Sequence, residues 1–262
     1  MQDRFNTLLS TQRQILSVYL TAGFPERDDT ALLCKSLARA GVDMIEIGIP
    51  FSDPVADGPV IQASNQRALG NGMNLSLLME QLRSVRHEIS IPILLMGYFN
   101  PILQFGIERF LTACREAGVA GLIIPDLPLE EYTRCYATLF ASHGIGNVLL
   151  ATTRTSNERL REIDSLAPPF IYLVSSPGPT GGALNVDHEK RAELSRISTL
   201  GLARPLFVGF GISTHAHCKF VWNYASGCII GSAFIRAIAT AQNLEAATME
   251  FVQEIRAGEE EL

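Results

Sequence analysis

One pattern repeats along the chain: a short apolar run with strand character is followed by a longer run with helical spacing. Strands that alternate with helices in this way form parallel sheets, and eight such units favour a closed (β/α)8 barrel with extra short helices. A doubly wound open sheet is the alternative, although it usually has about five to seven strands. The predicted strands cover residues 15–20, 44–49, 91–98, 121–124, 147–150, 170–174, 205–209 and 228–230.

No break in composition marks a second domain, so we predict one α/β domain over residues 1–262, with the acidic tail 258–262 frayed. The composition, with 47% hydrophobic and 18% charged residues, is typical of a water-soluble protein. A net charge of -6 gives no reason to expect nucleic acid or an anionic membrane as a partner. The N-terminal residues lack a signal-peptide pattern, and no apolar run reaches the roughly 18 residues of a membrane span. We therefore expect a cytoplasmic protein.

The five cysteines are scattered and odd in number, which favours buried free thiols over disulfides or a zinc site. His215 and His217 form the one closely spaced histidine pair. Because no Cys, Asp or Glu stands near them at ligand spacing, we expect solvated histidines and no metal site.

The second predicted strand carries an acid on an otherwise apolar segment. Period-two alternation places Met44, Glu46 and Gly48 on one face and a row of isoleucines on the other. An unpaired buried carboxylate is costly, so Glu46 is either satisfied by a local donor or acts on a ligand. A second acid, Asp57, follows in a loop rich in glycine and proline.

In barrels of this kind the functional face carries the carboxyl ends of the strands and the loops that follow them. The seventh and eighth loops contain Gly209-Phe210-Gly211 and Gly231-Ser232, which let the backbone approach a ligand closely. The second of these opens a short helix, whose free N–H groups suit an anion. We predict a phosphate site there; the alternative is that these glycines only form tight turns.

Aromatic and apolar residues near several strand ends predict a pocket for a flat apolar group, namely Tyr19, Tyr98, Phe210 and Ile229. The residues alone therefore predict a phosphorylated substrate with an apolar ring, acted on by carboxylate acid–base chemistry. The chain contains no Walker loop and no dinucleotide-binding glycine motif.

Several motifs together resemble one family. The stretch from Glu46 to Gln62, EIGIPFSDPVADGPVIQ, is similar to the signature of the tryptophan synthase α subunit, and further matches follow in the family's order. They are LTAG from residue 20, LMGYFNP from 95, IPDLP from 124, GFGIS from 209 and GSA from 231.

The resemblance implies a (β/α)8 lyase that splits indole-3-glycerol phosphate into indole and glyceraldehyde 3-phosphate. Glu46 would be the general acid–base, and Asp57 would accept the indole N–H. The other carried-over positions are Tyr19, Tyr98, Tyr172 and Phe210 for the indole pocket, and Gly181, Gly211, Gly231 and Ser232 for the phosphate.

The resemblance also implies a partner. The family's α subunit works in an α-β-β-α complex with a β subunit, and the pyridoxal phosphate belongs to that partner, so no cofactor is expected in this chain. Asp53 and Pro54 match positions that face the β subunit, and Thr180 matches a lid threonine. The lid departs from the family pattern, because Ser176 replaces an arginine and Pro177 and Pro179 are added.

Two other functions remain open from the sequence. The altered lid is compatible with a catalytically weak subunit that mainly binds and activates its β partner. A sugar-phosphate epimerase would use the same phosphate loops, but the chain lacks the metal-binding histidines that such enzymes often use.

Overall fold

A computed structural model describes residues 2–11, 14–166, 168–174, 188–209 and 211–257. Eight parallel strands close into a barrel in sequence order, β1 to β8, and β8 pairs with β1. The predicted (β/α)8 fold is therefore confirmed. The strands are β1 Ile15–Thr21, β2 Met44–Gly48, β3 Ile93–Met96, β4 Gly121–Ile123, β5 Gly146–Thr152, β6 Ile171–Val174, β7 Leu206–Gly209 and β8 Gly227–Ile230.

Most of the helices pack on the outer face of the barrel, and the first covers the end where the strands begin. They are α1 Gln2–Thr11, α2 Thr30–Ala40, α3 Pro59–Gly70, α4 Leu75–Val85, α5 Phe99–Phe105, α6 Ile107–Ala117, α7 Leu129–Glu131, α8 Ala137–Ser142, α9 Asn157–Ser165, α10 His188–Ser198, α11 His215–Val221, α12 Ser232–Ile238 and α13 Leu244–Ala257. A π-helical turn, Tyr132–Tyr136, joins α7 to α8. Among the described helices, none is long and apolar enough to cross a membrane.

The alternation predicted for β2 is observed. Met44 packs in a cluster inside the barrel, whereas Ile45 and Ile47 pack outward against the helices. Phe5 of α1 joins the inner cluster and meets Phe170 edge to face, with ring centroids 6.4 Å apart. Aromatic side chains thus fill the end of the barrel where the strands begin, which leaves the carboxyl ends for polar groups.

Strand β3 is shorter than the predicted span of 91–98 because the chain turns into α5 directly after Gly97. Tyr98 is the N-cap residue of α5, and the carboxylate of Asp126 accepts the N–H of Phe99 at 2.8 Å. Asp126 follows β4, so the start of α5 is set by a residue from the neighbouring unit.

The cysteines behave as predicted: all five are free, and four are buried while Cys135 is exposed. The prediction of solvated histidines holds only in part for the 215–217 pair, since both residues are partly buried. The Nδ1 atom of His215 lies 2.9 Å from the carbonyl oxygen of Ile255, because α11 packs against α13.

Candidate active site

Glu46 lies on the inner face of β2, paired with Tyr19 of β1 on one side and with Leu94 of β3 on the other. Only 1% of the residue is exposed, and its Oε2 atom has no hydrogen-bond partner among the described residues. Burial, helped by the nearby charge of Asp57, raises the pKa of the carboxyl to about 8. Glu46 is therefore protonated at neutral pH and able to give up its proton close to that pH.

Asp57 lies in the loop after β2 and is held by several neighbours. The backbone N–H of Asp57 donates to the carbonyl of Pro54 at 3.0 Å, and the Gln62 side chain donates to the backbone carbonyl of Asp57 at 2.9 Å. The amide of Asn65 donates to Oδ2 at 3.4 Å. Burial raises the pKa of Asp57 to about 6, and the Tyr98 hydroxyl and the Asn65 amide offset part of that rise. At neutral pH Asp57 is ionised while Glu46 is not.

Tyr19 reaches from β1 across the inner face of β2. A Cβ atom built on Gly48 would lie 1.9 Å from the Tyr19 hydroxyl oxygen, so only glycine leaves room for the phenol there. The ring is buried, and its hydroxyl lies 3.4 Å from Thr21 Oγ1, which in turn lies 2.7 Å from Ser64 Oγ.

Tyr98 and Tyr172 complete the aromatic wall. The Tyr98 hydroxyl accepts the N–H of Ala56 at 2.9 Å, and its ring stacks on Phe51 with centroids 5.0 Å apart. Tyr172 leans over Gly209, where an added Cβ would meet its hydroxyl at 2.3 Å. Burial raises the pKa of Tyr172, and the charges of Glu46 and Asp57 raise it further.

The predicted phosphate residues lie at the ends of β7 and β8. Gly211 has a φ of 73°, in the left-handed region that favours glycine, and Gly231 is the N-cap residue of α12, which begins at Ser232. Gly231 also packs beside Tyr19, since an added Cβ would lie 3.5 Å from the Cβ of that tyrosine. Thr180, Gly181 and Phe210 lie outside the described residues, as does the remainder of the altered lid.

Ile229 is deeper than a mouth residue. It is 2% exposed and packs in the inner cluster of the barrel, paired with Gly209 of β7 and Ser17 of β1. Its side chain lies in the same inner cluster as Tyr172.

The loop after β2 also carries the two residues predicted to face a partner. Asp53 is exposed, but Pro54 is buried within this chain. The apolar residue presented to solvent is the next one, Val55, which is 86% exposed, and Leu103 of α5 is 47% exposed. Sequence reasoning did not single out either residue, because nothing local marks an apolar side chain as exposed.

Sequence reasoning also missed the residues that support the two acids. Asn65 and Ser64 lie on α3, and their contacts with Asp57 and Thr21 depend on how α3 packs against β1. The one available signal was that both are polar residues on the buried side of a helix. Around the site and elsewhere in the described chain, no cluster of three or more His, Cys, Asp or Glu residues could hold a metal ion.

Comparisons with known proteins agree on one family. The family model described as "Tryptophan synthase alpha chain" matches residues 5–261. The tryptophan synthase alpha chain of Flavobacterium psychrophilum is 47% identical over 253 residues, which cover 97% of this chain and 99% of that protein.

Solved structures agree. The tryptophan synthase subunit alpha of Legionella pneumophila superposes with a TM-score of 0.87 at 33% identity, covering 97% of this chain and 96% of that one. A chain of the tryptophan synthase complex of Pyrococcus furiosus superposes with a TM-score of 0.84 at 33% identity, covering 93% and 98%.

Proposed function

The chain belongs to the tryptophan synthase alpha chain family, and on that premise we propose that it cleaves indole-3-glycerol phosphate to indole and glyceraldehyde 3-phosphate. The observation that carries this proposal is Glu46: a buried carboxyl on a strand, unpartnered at Oε2, with a pKa near the working pH.

The reaction is a retro-aldol cleavage in which Glu46 handles both protons. Protonated Glu46 gives its proton to the indole ring carbon that bears the glycerol chain. The carboxylate then takes the proton of the hydroxyl on the adjoining carbon. The O–H electron pair forms the aldehyde C=O, and the electrons of the breaking C–C bond return to the indole ring. Glu46 ends protonated, ready for another turnover.

Asp57 stabilises the charge that this sequence creates. Protonation of the ring carbon leaves positive charge on the indole ring, and an ionised carboxylate that accepts the ring N–H lowers its energy. The hydrogen bonds around Asp57 support this role, because they fix the loop and keep the carboxyl ionised at neutral pH.

The remaining pocket residues bind the two ends of the substrate. Tyr19, Tyr98, Tyr172 and Ile229 would surround the indole ring, together with Phe210. Gly181, Gly211, Gly231 and Ser232 would hold the phosphate through backbone N–H groups, and the last two lie at the start of α12. Nothing in this scheme needs a metal or a cofactor on this chain.

We further propose that the chain acts as the α subunit of a cytoplasmic α-β-β-α heterotetramer in tryptophan biosynthesis, with pyridoxal phosphate held by the β subunit. The surface that supports docking is the β2 loop together with α5, where Asp53, Val55 and Leu103 are exposed. Because Asp53 and Asp57 share one short loop, docking on it can alter the site directly.

Indole release from indole-3-glycerol phosphate tests the proposal. The purified chain is assayed alone and with the β subunit of a related species, beside Glu46→Gln. We expect saturable release that falls by roughly 10²–10⁴-fold in the variant, the usual contribution of a general acid–base. Circular dichroism of the variant checks its fold. No release from the folded chain, even with the β subunit, would contradict the proposal. A chain that raised β-subunit turnover on added indole while releasing none would instead be the weak, activating subunit.

A further inference from the structure

A cavity of about 430 Å³ lies outside the barrel wall, between β5 and the segment that contains the π-helical turn and α8. Leu149 of β5 lines it and packs with the outer helices, whereas its neighbour Val148 packs inside the barrel. Alternation along the strand places Asn147 on the same outward face as Leu149. The cavity is therefore separate from the candidate active site, whose acids lie at the mouth of the barrel.

Small side chains leave this space open. Thr133, Ala137 and Ala141 follow one another at four-residue spacing along the π-helical turn and α8, and all three line the cavity. Pro169 forms another wall and packs directly on the backbone of Gly146, since a Cβ atom added there would lie 2.5 Å from its Cγ. Thr133 and Ala141 are exposed, so the cavity is open to solvent along the helical side.

Asn147 gives the cavity a polar group that the protein leaves unpaired. The residue is 4% exposed, and its Oδ1 atom has no hydrogen-bond partner among the described residues. The Thr133 hydroxyl, by contrast, donates to the carbonyl of Leu129 at 2.8 Å. A buried amide oxygen without a donor is destabilising, and an apolar residue on this strand face would avoid that cost. The χ2 torsion of asparagine is soft, so a small rotation presents the oxygen to a ligand that carries an N–H or O–H group.

We propose that this cavity binds a compact, uncharged aromatic molecule with one hydrogen-bond donor, the chemical class of indole. Tyr132 lines the cavity and is held edge to face against buried Phe140, with centroids 5.5 Å apart, so an aromatic surface is fixed in the wall. No Arg, Lys, Asp or Glu is among the described lining residues, so a charged ligand would find no counter-charge. An apolar cavity of this size with one well-placed polar group is typical of small-molecule sites. The choice of indole within the class rests on the function proposed above, which releases indole.

Titration with indole, followed by NMR of 13C-labelled Ala, Leu and Ile methyl groups, tests the proposal. The methyl groups of Ala137, Ala141 and Leu149 report this cavity, and that of Ile229 reports the interior of the barrel. We expect saturable shifts at the three cavity methyl groups, with an affinity distinct from any shift at Ile229. 1-Methylindole has the same ring without the N–H, and it should bind the cavity about tenfold more weakly because the amide oxygen stays unpaired.

Three variants complete the test. Asn147→Leu should make indole and 1-methylindole bind alike. Ala141→Phe, at an exposed position, should fill the cavity and abolish the shifts at Ala137 and Leu149, whereas Thr138→Phe adds the same ring to an exposed position of α8 outside the cavity and should leave them unchanged. Absence of saturable shifts, equal affinity of the wild type for the two ligands, or equal binding by the two phenylalanine variants would overturn the proposal. The titration needs no turnover, so a chain that failed to cleave indole-3-glycerol phosphate could still bind indole here, and the two failures are distinguishable.

Discussion

Glu46 and Asp57 lie on either side of the end of β2, and they differ in burial and in hydrogen bonding. Glu46 sits on the strand, is 1% exposed, and has a buried oxygen without a hydrogen-bond partner in the described chain. Asp57 sits in the loop, is partly exposed, and is held by Gln62 and Asn65. Burial raises both pKa values, to about 8 and about 6.

The difference shows how one barrel mouth can hold two acids with separate tasks. A carboxyl that must give and take protons benefits from a dry place without donors, because donors would stabilise its anion. A carboxylate that must stabilise positive charge benefits from donors that keep it ionised and from a loop that fixes its position. Two acids with separated pKa values are typical of acid–base sites.

The largest expected effect is on the free energy of unfolding when Glu46 is replaced. A carboxyl whose folded pKa lies near 8 makes the protein less stable as pH rises from its unfolded pKa near 4.5 to 8, because the unfolded chain ionises first. Glu46→Gln should therefore stabilise the protein by roughly 2–4 kcal/mol at pH 8.5 and by much less at pH 5. Urea unfolding at both pH values measures this; an equal effect at both would contradict a raised pKa.

A second test concerns the close packing of Tyr19 on Gly48, next to Glu46 in β2. Gly48→Ala places a methyl group where the Tyr19 hydroxyl lies, and overpacking of this kind costs about 1–3 kcal/mol. Gly70→Ala is the matched control, since no atom lies within 4 Å of its added Cβ at the end of α3. We expect the control to be neutral or slightly stabilising in urea. Equal stability of the two variants would show that Tyr19 is free to move.

Removing the charge of the loop acid should cost less catalysis than removing Glu46. Asp57→Asn keeps the shape and loses the negative charge, so we expect indole release to fall by roughly 10–100-fold, equivalent to about 1.4–2.7 kcal/mol of barrier. Steady-state assays with and without the β subunit measure it. A loss larger than that of Glu46→Gln would reverse the two roles.

The smallest effect should come from a supporting residue. Asn65→Leu removes a donor to Asp57, so the pKa of Asp57 should rise by about half a unit and activity at pH 6 should fall about twofold. Gln66→Leu, an exposed neighbour on the same helix, is the control and should leave the pH profile unchanged. If Asn65→Leu behaves like its control, the Asn65 contact does not tune the acid.

Much of the fold could be predicted from the sequence because it rests on local periodicity. Strand and helix patterns alternate, and Glu46 stands out because alternation places it on the same face as Met44. Helices α1 and α5 have weaker local signals than the others. Helix α5 contains Pro101 in its first turn, and the partner of its first N–H is Asp126 from the next unit. Helix α1 gains its stability from placing Phe5 in the barrel.

The candidate site was predictable only in part, for the same physical reason. Glu46 and Asp57 could be named because they lie in a recognisable motif, and Tyr19 because it is an aromatic residue near the end of a predicted strand. Their pKa values and supports depend on contacts between distant segments, such as Thr21 with Ser64. No local pattern in the chain indicates that Gly48 must lack a side chain to admit Tyr19.

The pH dependence of kcat/KM for indole release tests the division of roles most directly, because it reports the ionisations of the free enzyme. We predict a bell-shaped profile with limbs near pH 6 and pH 8, from ionisation of Asp57 and loss of the Glu46 proton. Asp57→Asn should abolish the acid limb and keep the alkaline limb, moved to somewhat lower pH because the charge of Asp57 no longer raises the pKa of Glu46. If Asp57→Asn instead abolished the alkaline limb, Asp57 would carry the proton and the account would be wrong.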